Sequence, residues 1–145
     1  MDALEHFFWN VKGGIAIELG ALDGTNNTRS QSAVFEEVGW RRILIEGNPL
    51  YRTRLATQKE AFTVNVAACK SRQTVHYLSH YSTDMTSGIA EFMTPFHLHT
   101  YFKPLSKAIR KVHGIANITD WSSHQNGMYK ISEVPCVPMS GESHM

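Results

Sequence analysis

The sequence predicts an α/β fold built on a parallel sheet, and two observations carry this prediction. Between Gly13 and Ala68, short apolar runs alternate with amphipathic stretches, which is the rhythm of βαβ units. The first apolar run, at residues 15–17, is unbroken, as expected of a central strand that is buried on both faces. The 145 residues, 42% of them hydrophobic, suffice for a single domain over residues 1–145.

The elements of this region follow in a regular order. Three strands are predicted, at residues 15–19, 42–46 and 62–67. A helix is predicted over residues 32–38, with Asn27 or Thr28 as its cap and Gly39 as its end. A second helix opens at Asn48-Pro49 and reaches Gln58, because proline suits the first helical turn, where an N–H has no helical partner. Together these elements form a predicted βαβαβ core over residues 13–68.

Beyond Ala68 the pattern is weaker. It predicts an extra strand at 74–79, a long loop at 80–95, a helix over 104–112 and a polar loop over 117–130. Pro135 and Pro138 each remove a donor from a β-ladder, so the tail at 133–145 is predicted as an edge segment rather than a central strand.

Charge and cysteine content narrow the possible partners and location. The net charge of +1 provides no broad field for nucleic acid or an anionic membrane, so a small-molecule substrate is expected. Cys69 and Cys136 lie far apart without C-x-x-C spacing, which predicts reduced, buried thiols. Acidic residues stand near the amino terminus where a secretory signal is basic, and no apolar run is long enough to span a bilayer. A cytoplasmic protein is predicted.

The pattern that carries chemistry is Glu18-x-Gly20-x-x-x-Gly24 at the end of the first strand, followed by Glu46 at the end of the second. The glycines let the backbone turn sharply and approach a ligand at the carboxyl ends of the strands. Glu46 lies 22 positions beyond Gly24, near the offset at which an acidic residue reaches ribose hydroxyls. The pattern indicates an adenosine-containing cofactor, and the alternative is an ordinary βα turn with a surface carboxylate.

Charge distinguishes between the adenosine cofactors. Dinucleotides need G-x-G-x-x-G, with bare backbone amides facing a pyrophosphate, and Leu22 stands where the second glycine belongs. Glu18 and Asp23 would repel a pyrophosphate but favour the ammonium and sulfonium of S-adenosylmethionine. The loop therefore favours S-adenosylmethionine over a nicotinamide or flavin dinucleotide.

The stretch at residues 18–55 resembles the opening of the FkbM family of methyltransferases. The segments that carry the resemblance are Glu18-Leu19-Gly20-Ala21, Asp23-Gly24, Asn27-Thr28, Phe35-Glu36, Gly39-Trp40, Ile45-Glu46 and Asn48-Pro49. Two later segments are also similar to the family, at residues 65–68 and 88–93.

The resemblance implies a Rossmann-like class I methyltransferase sheet with its first strands in the order 3-2-1, and O-methylation of a sugar or small-metabolite hydroxyl. It implies that Glu18 and Gly20 lie near the methionine part of the cofactor, Glu46 on the ribose, and residues 65–67 near the adenine. The full set of candidate cofactor-binding residues is Glu18, Gly20, Ala21, Asp23, Gly24, Glu46, Asn48, Asn65 and Ala67.

The chain departs from the family after residue 140, where relatives continue with a further strand and a Lys-Ile-Asp-x-Glu-Gly-like motif. The fold is therefore expected to be truncated after its first half. Strand 1 then becomes an apolar sheet edge, which predicts self-association through that edge. The alternative function is a non-catalytic or degenerate S-adenosylmethionine-binding fragment.

No catalytic residue or metal site is assigned. The pairs His97-x-His99 and His76-x-x-x-His80 lack a third ligand at characteristic spacing, so surface histidines are preferred over a metal. The candidates for a base are polar residues of predicted loops, and solvation explains them equally well because methyl transfer depends largely on positioning. These candidates are His80, Asp84, Asp120 and His124.

Overall fold

The computed structural model describes residues 6–25, 30–111 and 121–139, and shows a mixed α/β protein. The chain divides into two compact units. The first comprises the described residues up to Glu46 together with Leu50–Asn65, and the second comprises Gly47–Pro49 together with the described residues from Val66 onward. In the described part of the chain, no helix has the length and apolar character needed to cross a membrane.

The first unit contains a parallel three-stranded sheet. Its strands are β1 (Ile15–Leu19), β2 (Arg41–Ile45) and β3 (Ala61–Val64), in the order β1-β2-β3. Helix α1 (Ala33–Glu37) connects β1 to β2, and a 3-10 turn (Pro49–Tyr51) with helix α2 (Arg52–Leu55) leads to β3. The predicted strand order and parallel pairing are confirmed. The predicted second helix is shorter than expected, because the N–H groups of Thr57 and Gln58 bond three residues back and tighten the chain into a turn.

The core of the first unit lies on one face of this sheet, where Ala21, Leu44 and Leu55 pack together. On the other face, Ile15, Ile17 and Leu19 are each more than half exposed. The prediction that β1 is buried on both faces is therefore wrong. The reason is that Leu55 of α2 packs with Leu44 on the opposite face of the sheet, so that these three side chains are not part of that core.

The second unit contains a four-stranded sheet. Its strands are β4 (Ala67–Ala68), β5 (Gln73–His80), β6 (Gly88–Ile89) and β7 (Tyr129–Val137), in the order β4-β7-β5-β6. β4 runs parallel to β7, and the other pairs are antiparallel. The predicted strand at 74–79 is confirmed as β5. The segment predicted as a loop at 80–95 contains β6 between two 3-10 turns, Asp84–Thr86 and Ala90–Phe92.

The tail prediction is wrong, because β7 lies between β4 and β5 rather than at an edge. Pro135 pairs with Thr74 of β5, whereas pairing with β4 starts only at Cys136. At Pro135 one side of β7 is consequently unpaired, and a nitrogen without hydrogen can be placed there without breaking the ladder. Pro138 follows the strand.

Two helices complete the second unit, α3 (Pro95–Tyr101) and α4 (Lys103–Lys111). Thr94 caps α3 by accepting the N–H of His97, and α4 confirms the helix predicted at 104–112 up to Lys111. Val112 and the first four residues of the predicted loop, 117–120, lie outside the described residues. The core joins helices and sheet through Leu78, Ala90, Leu98, Phe102, Leu105, Tyr129 and Ile131.

Cys69 and Cys136 form a disulfide, with Cα atoms 5.5 Å apart. The prediction of reduced thiols is therefore wrong. β4 pairs with the end of β7, so that Ala67 lies opposite Cys136 and the N–H of Cys69 donates to the carbonyl of Val137 at 2.9 Å. This pairing brings together two cysteines that are 67 positions apart, which sequence spacing could not indicate.

Candidate functional site

The loop that follows β1 is held against the end of β2 by its backbone. The N–H groups of Gly20 and Ala21 both donate to the carbonyl of Ile45, at 2.8 and 3.2 Å. Gly20 and Gly24 have φ values of +78° and +74°, which favour glycine. The predicted sharp turn at the carboxyl ends of adjacent strands is thus present.

Glu46 ties this loop to β2. Its Oε2 accepts the backbone N–H of Leu22 at 2.8 Å, and the residue is almost completely buried. Leu22 has a φ of +52°, a conformation that costs energy for a leucine and that this hydrogen bond helps to hold. Asn65, after β3, donates its side-chain N–H to the backbone carbonyl of Glu46 at 2.6 Å. Glu46 and Asn65 therefore lie together after the ends of β2 and β3.

The Glu18 carboxylate is a hydrogen-bond acceptor for the chain that leads into α1. Ser30 Oγ donates to it at 2.6 Å and the Gln31 N–H at 2.8 Å, and Ser32 donates through both its N–H and its hydroxyl. Burial raises the pKa of the Glu18 carboxyl, but these four hydrogen bonds outweigh burial and hold the pKa below its usual value. Glu18 is therefore ionised at neutral pH.

This arrangement corrects the predicted start of the first helix. The helix begins at Ala33, after Ser32, whose side chain makes no capping bond to the helix. The hydrogen-bond acceptor comes instead from Glu18 of β1. Its carboxylate accepts the backbone N–H groups of Gln31 and Ser32, just before the helix. Asn27 and Thr28, the predicted caps, lie outside the described residues.

Asp23 and Gly24 form the turn at the far end of the loop. The Asp23 Oδ1 accepts the N–H and the hydroxyl of Thr25, at 3.1 and 2.8 Å. Arg42 donates to the carbonyl of Gly24 at 2.9 Å and forms an ion pair with Glu36 of α1. The residues predicted from the sequence do not include Arg42, although a cation inside an apolar strand indicates a buried partner.

Seven of the nine predicted cofactor-binding residues lie in the first unit, namely Glu18, Gly20, Ala21, Asp23, Gly24, Glu46 and Asn65. The other two belong to the second unit. There, Asn48 accepts the Ser79 hydroxyl at 2.7 Å, and Ala67 is buried beside Val75 and Cys136.

A cavity of about 680 Å³ runs beside β1 within the first unit. Its lining includes Glu18, Gly20, Leu22, Ser32, Phe35 and Trp40, together with Ile15, Ile17 and Leu19 of β1. Glu46 and Asn65 do not line it. The two aromatic rings lie 4.9 Å apart and pack with Phe8. The volume falls within the range of small-molecule sites, and the lining combines apolar rings with one ionised carboxylate.

The described candidate bases and the histidine pairs lie in the second unit. His80 ends β5 and contacts the Ser82 hydroxyl at 3.0 Å, whereas Asp84 and His124 lie in 3-10 turns. Asp120 is outside the described residues. His76 is held by Glu91, at 2.7 Å from its Nδ1, and its ring stacks on Trp121. Within the described ranges, no three His, Cys, Asp or Glu side chains are grouped closely enough to hold a metal ion.

No family model, curated protein or solved structure matches this chain.

Proposed function

We propose that the first unit binds S-adenosylmethionine and that the chain is a Rossmann-like, FkbM-like methyltransferase domain. The observation that carries this proposal is the Glu46 carboxylate joined to the backbone of Leu22 in a glycine-bounded loop. Both lie at the carboxyl ends of adjacent parallel strands, which is where open α/β sheets bind their ligands.

The residues around this loop suit the two ends of the cofactor. Glu46 is assigned to the ribose hydroxyls, which donate hydrogen bonds to a carboxylate. Glu18 remains ionised and lines the cavity, so that its charge favours the cationic methionine part. The same charge opposes the pyrophosphate of a dinucleotide, as does the side chain of Leu22, which a dinucleotide loop replaces by glycine.

S-adenosylmethionine supplies a methyl group on a sulfonium, which an acceptor oxygen can attack. The role of this chain's residues is to bind and orient the donor, and positioning alone accounts for much of the rate of such transfers. The proposed acceptor is a hydroxyl of a sugar or small metabolite, rather than a nucleic acid or a membrane component. We assign no catalytic base.

The alternative is a binding module without turnover. It requires only the donor-binding residues, seven of which lie in the first unit. It differs from the enzyme in that no methyl group is transferred to an acceptor. The compartment of the protein stays a prediction. The sequence predicts the cytoplasm, whereas the Cys69–Cys136 disulfide favours an oxidising compartment, because cytosolic thiols are kept reduced.

Calorimetric titration with S-adenosylhomocysteine tests the proposal. We expect saturable binding that micromolar NADH does not reverse. Displacement by NADH would show that the loop binds a dinucleotide, and no binding at all would remove the proposed function. If binding is present, incubation with methyl-labelled donor and a panel of sugars separates the enzyme from the non-catalytic module.

A further inference from the structure

One face of the three-stranded sheet is apolar and exposed. Register places Ile17, Ile43 and Phe62 in one row across the three strands, with side chains on the same face. Ile15 and Leu19 flank this row on β1. The exposed fractions of Ile15, Ile17, Leu19 and Phe62 are 52, 61, 60 and 69%. Monomeric proteins seldom present so many large apolar side chains on one sheet face.

Charge on this face is confined to its margin. The positions that the strands direct to it carry aliphatic or aromatic side chains, apart from Arg41, the first residue of β2. The whole chain has a net charge of +1, so two copies repel each other little. The face therefore suits a partner surface that is also apolar with charge only at its margin, and a second copy of the same face meets this description.

The area is sufficient for such a pair. A fully exposed Phe presents roughly 150–250 Å², and Ile or Leu presents an area in the lower part of that range. At the exposed fractions above, the four side chains offer on the order of 500 Å² per chain, or about 1,000 Å² for two copies. This total reaches the lower limit of specific interfaces before Ile43, which is partly buried, is counted.

We propose that two copies of this chain pack these sheet faces together in a symmetric dimer. The dimer buries the row of Ile17, Ile43 and Phe62 against its symmetry mate, as the two layers of a β-sandwich do. It differs from pairing through the β1 edge, which would lengthen the sheet and leave Phe62 of β3 in water. Ile15, Ile17 and Leu19 also line the cavity beside β1 that is assigned to the cofactor, so the dimer is tested in the absence of S-adenosylmethionine and its analogues.

Sedimentation equilibrium of the full chain at tens of micromolar tests the dimer. We expect the wild-type chain to be a dimer and the Phe62→Glu and Ile17→Lys variants to be monomers, with dissociation constants raised at least a hundredfold. Phe96→Glu is the matched control, because Phe96 on α3 is 78% exposed and lies outside this face. It should remain a dimer. Circular dichroism verifies that each variant is folded.

Three results would overturn the proposal. The first is a wild-type monomer at this concentration. The second is a dimer that survives Phe62→Glu, since only association elsewhere, such as through the β1 edge, tolerates that change. The third is open-ended aggregation that Phe62→Glu leaves unchanged. Should Phe62→Glu fail to fold, Ile17→Lys and Phe62→Ser provide the same comparison.

Discussion

The side chain of Glu46 bonds to the backbone N–H of Leu22, 24 residues earlier in the chain, at 2.8 Å. The pair couples the end of β2 to a residue of positive φ in the loop after β1. Because the carboxylate is buried, loss of its oxygen leaves an N–H without this partner inside the protein. The same carboxylate is the proposed ribose ligand, so folding and binding depend on one group.

Substitution of Glu46 separates these two roles. Glu46→Ala should lower the free energy of unfolding by about 1–3 kcal/mol and weaken S-adenosylhomocysteine binding by about 1.5–3 kcal/mol. Glu46→Gln keeps an oxygen for the Leu22 N–H, so it should retain most of the stability and still lose affinity. Urea unfolding and calorimetry measure the two effects. Undiminished affinity in a folded Glu46→Ala variant would exclude Glu46 from the site.

The lowered pKa of Glu18 predicts that the free energy of unfolding depends on pH. Its pKa is lower in the folded chain than its usual value near 4.5. The carboxylate therefore stabilises the fold fully above that value, and this contribution is lost as pH falls through the lower folded pKa. In urea unfolding from pH 7 to pH 3, Glu18→Gln should be less stable than the wild type near neutrality. The difference should shrink below about pH 4.5; a constant difference would mean that charge is not involved.

The two loop glycines should differ in their response to alanine. At Gly20 a Cβ would meet nothing within 4 Å, so Gly20→Ala incurs only the cost of positive φ, about 1–2 kcal/mol. At Gly24 a Cβ would collide with Leu44 Cδ1, which adds about 1–3 kcal/mol. Thermal unfolding of both variants measures this order. Equal losses would indicate that the loop shifts away from Leu44.

The disulfide should contribute substantially to stability. It links residues 67 positions apart, and closing a loop of that length removes about 4 kcal/mol of entropy from the unfolded chain. The Cys69→Ala/Cys136→Ala double variant should lose about this amount in urea unfolding. Wild-type protein treated with a reductant is the control, and should approach the variant. Free thiols in the untreated protein, detected by mass spectrometry after alkylation, would contradict the bond.

Local patterns predicted the first unit well because its determinants are close in sequence. Apolar runs separated by Gly20, Gly24 and Gly39 mark the strands and turns. The offset from Gly24 to Glu46 predicts a ribose ligand, and the hydrogen bond from the Leu22 N–H to Glu46 is found only in the structure. The prediction for β1 was wrong about burial, since an unbroken apolar run does not reveal whether both faces are covered.

The sequence by itself determined the parallel βαβ order of the first unit and the acidic, glycine-bounded loop, because these follow from periodicity and backbone freedom over short distances. Only the tertiary structure decided that Glu18 accepts hydrogen bonds from the backbone just before α1, that Cys69 bonds to Cys136, and that β7 is an inner strand. Each of these depends on pairing between distant segments. Such pairing is set by the packing of the whole unit, which no local pattern contains.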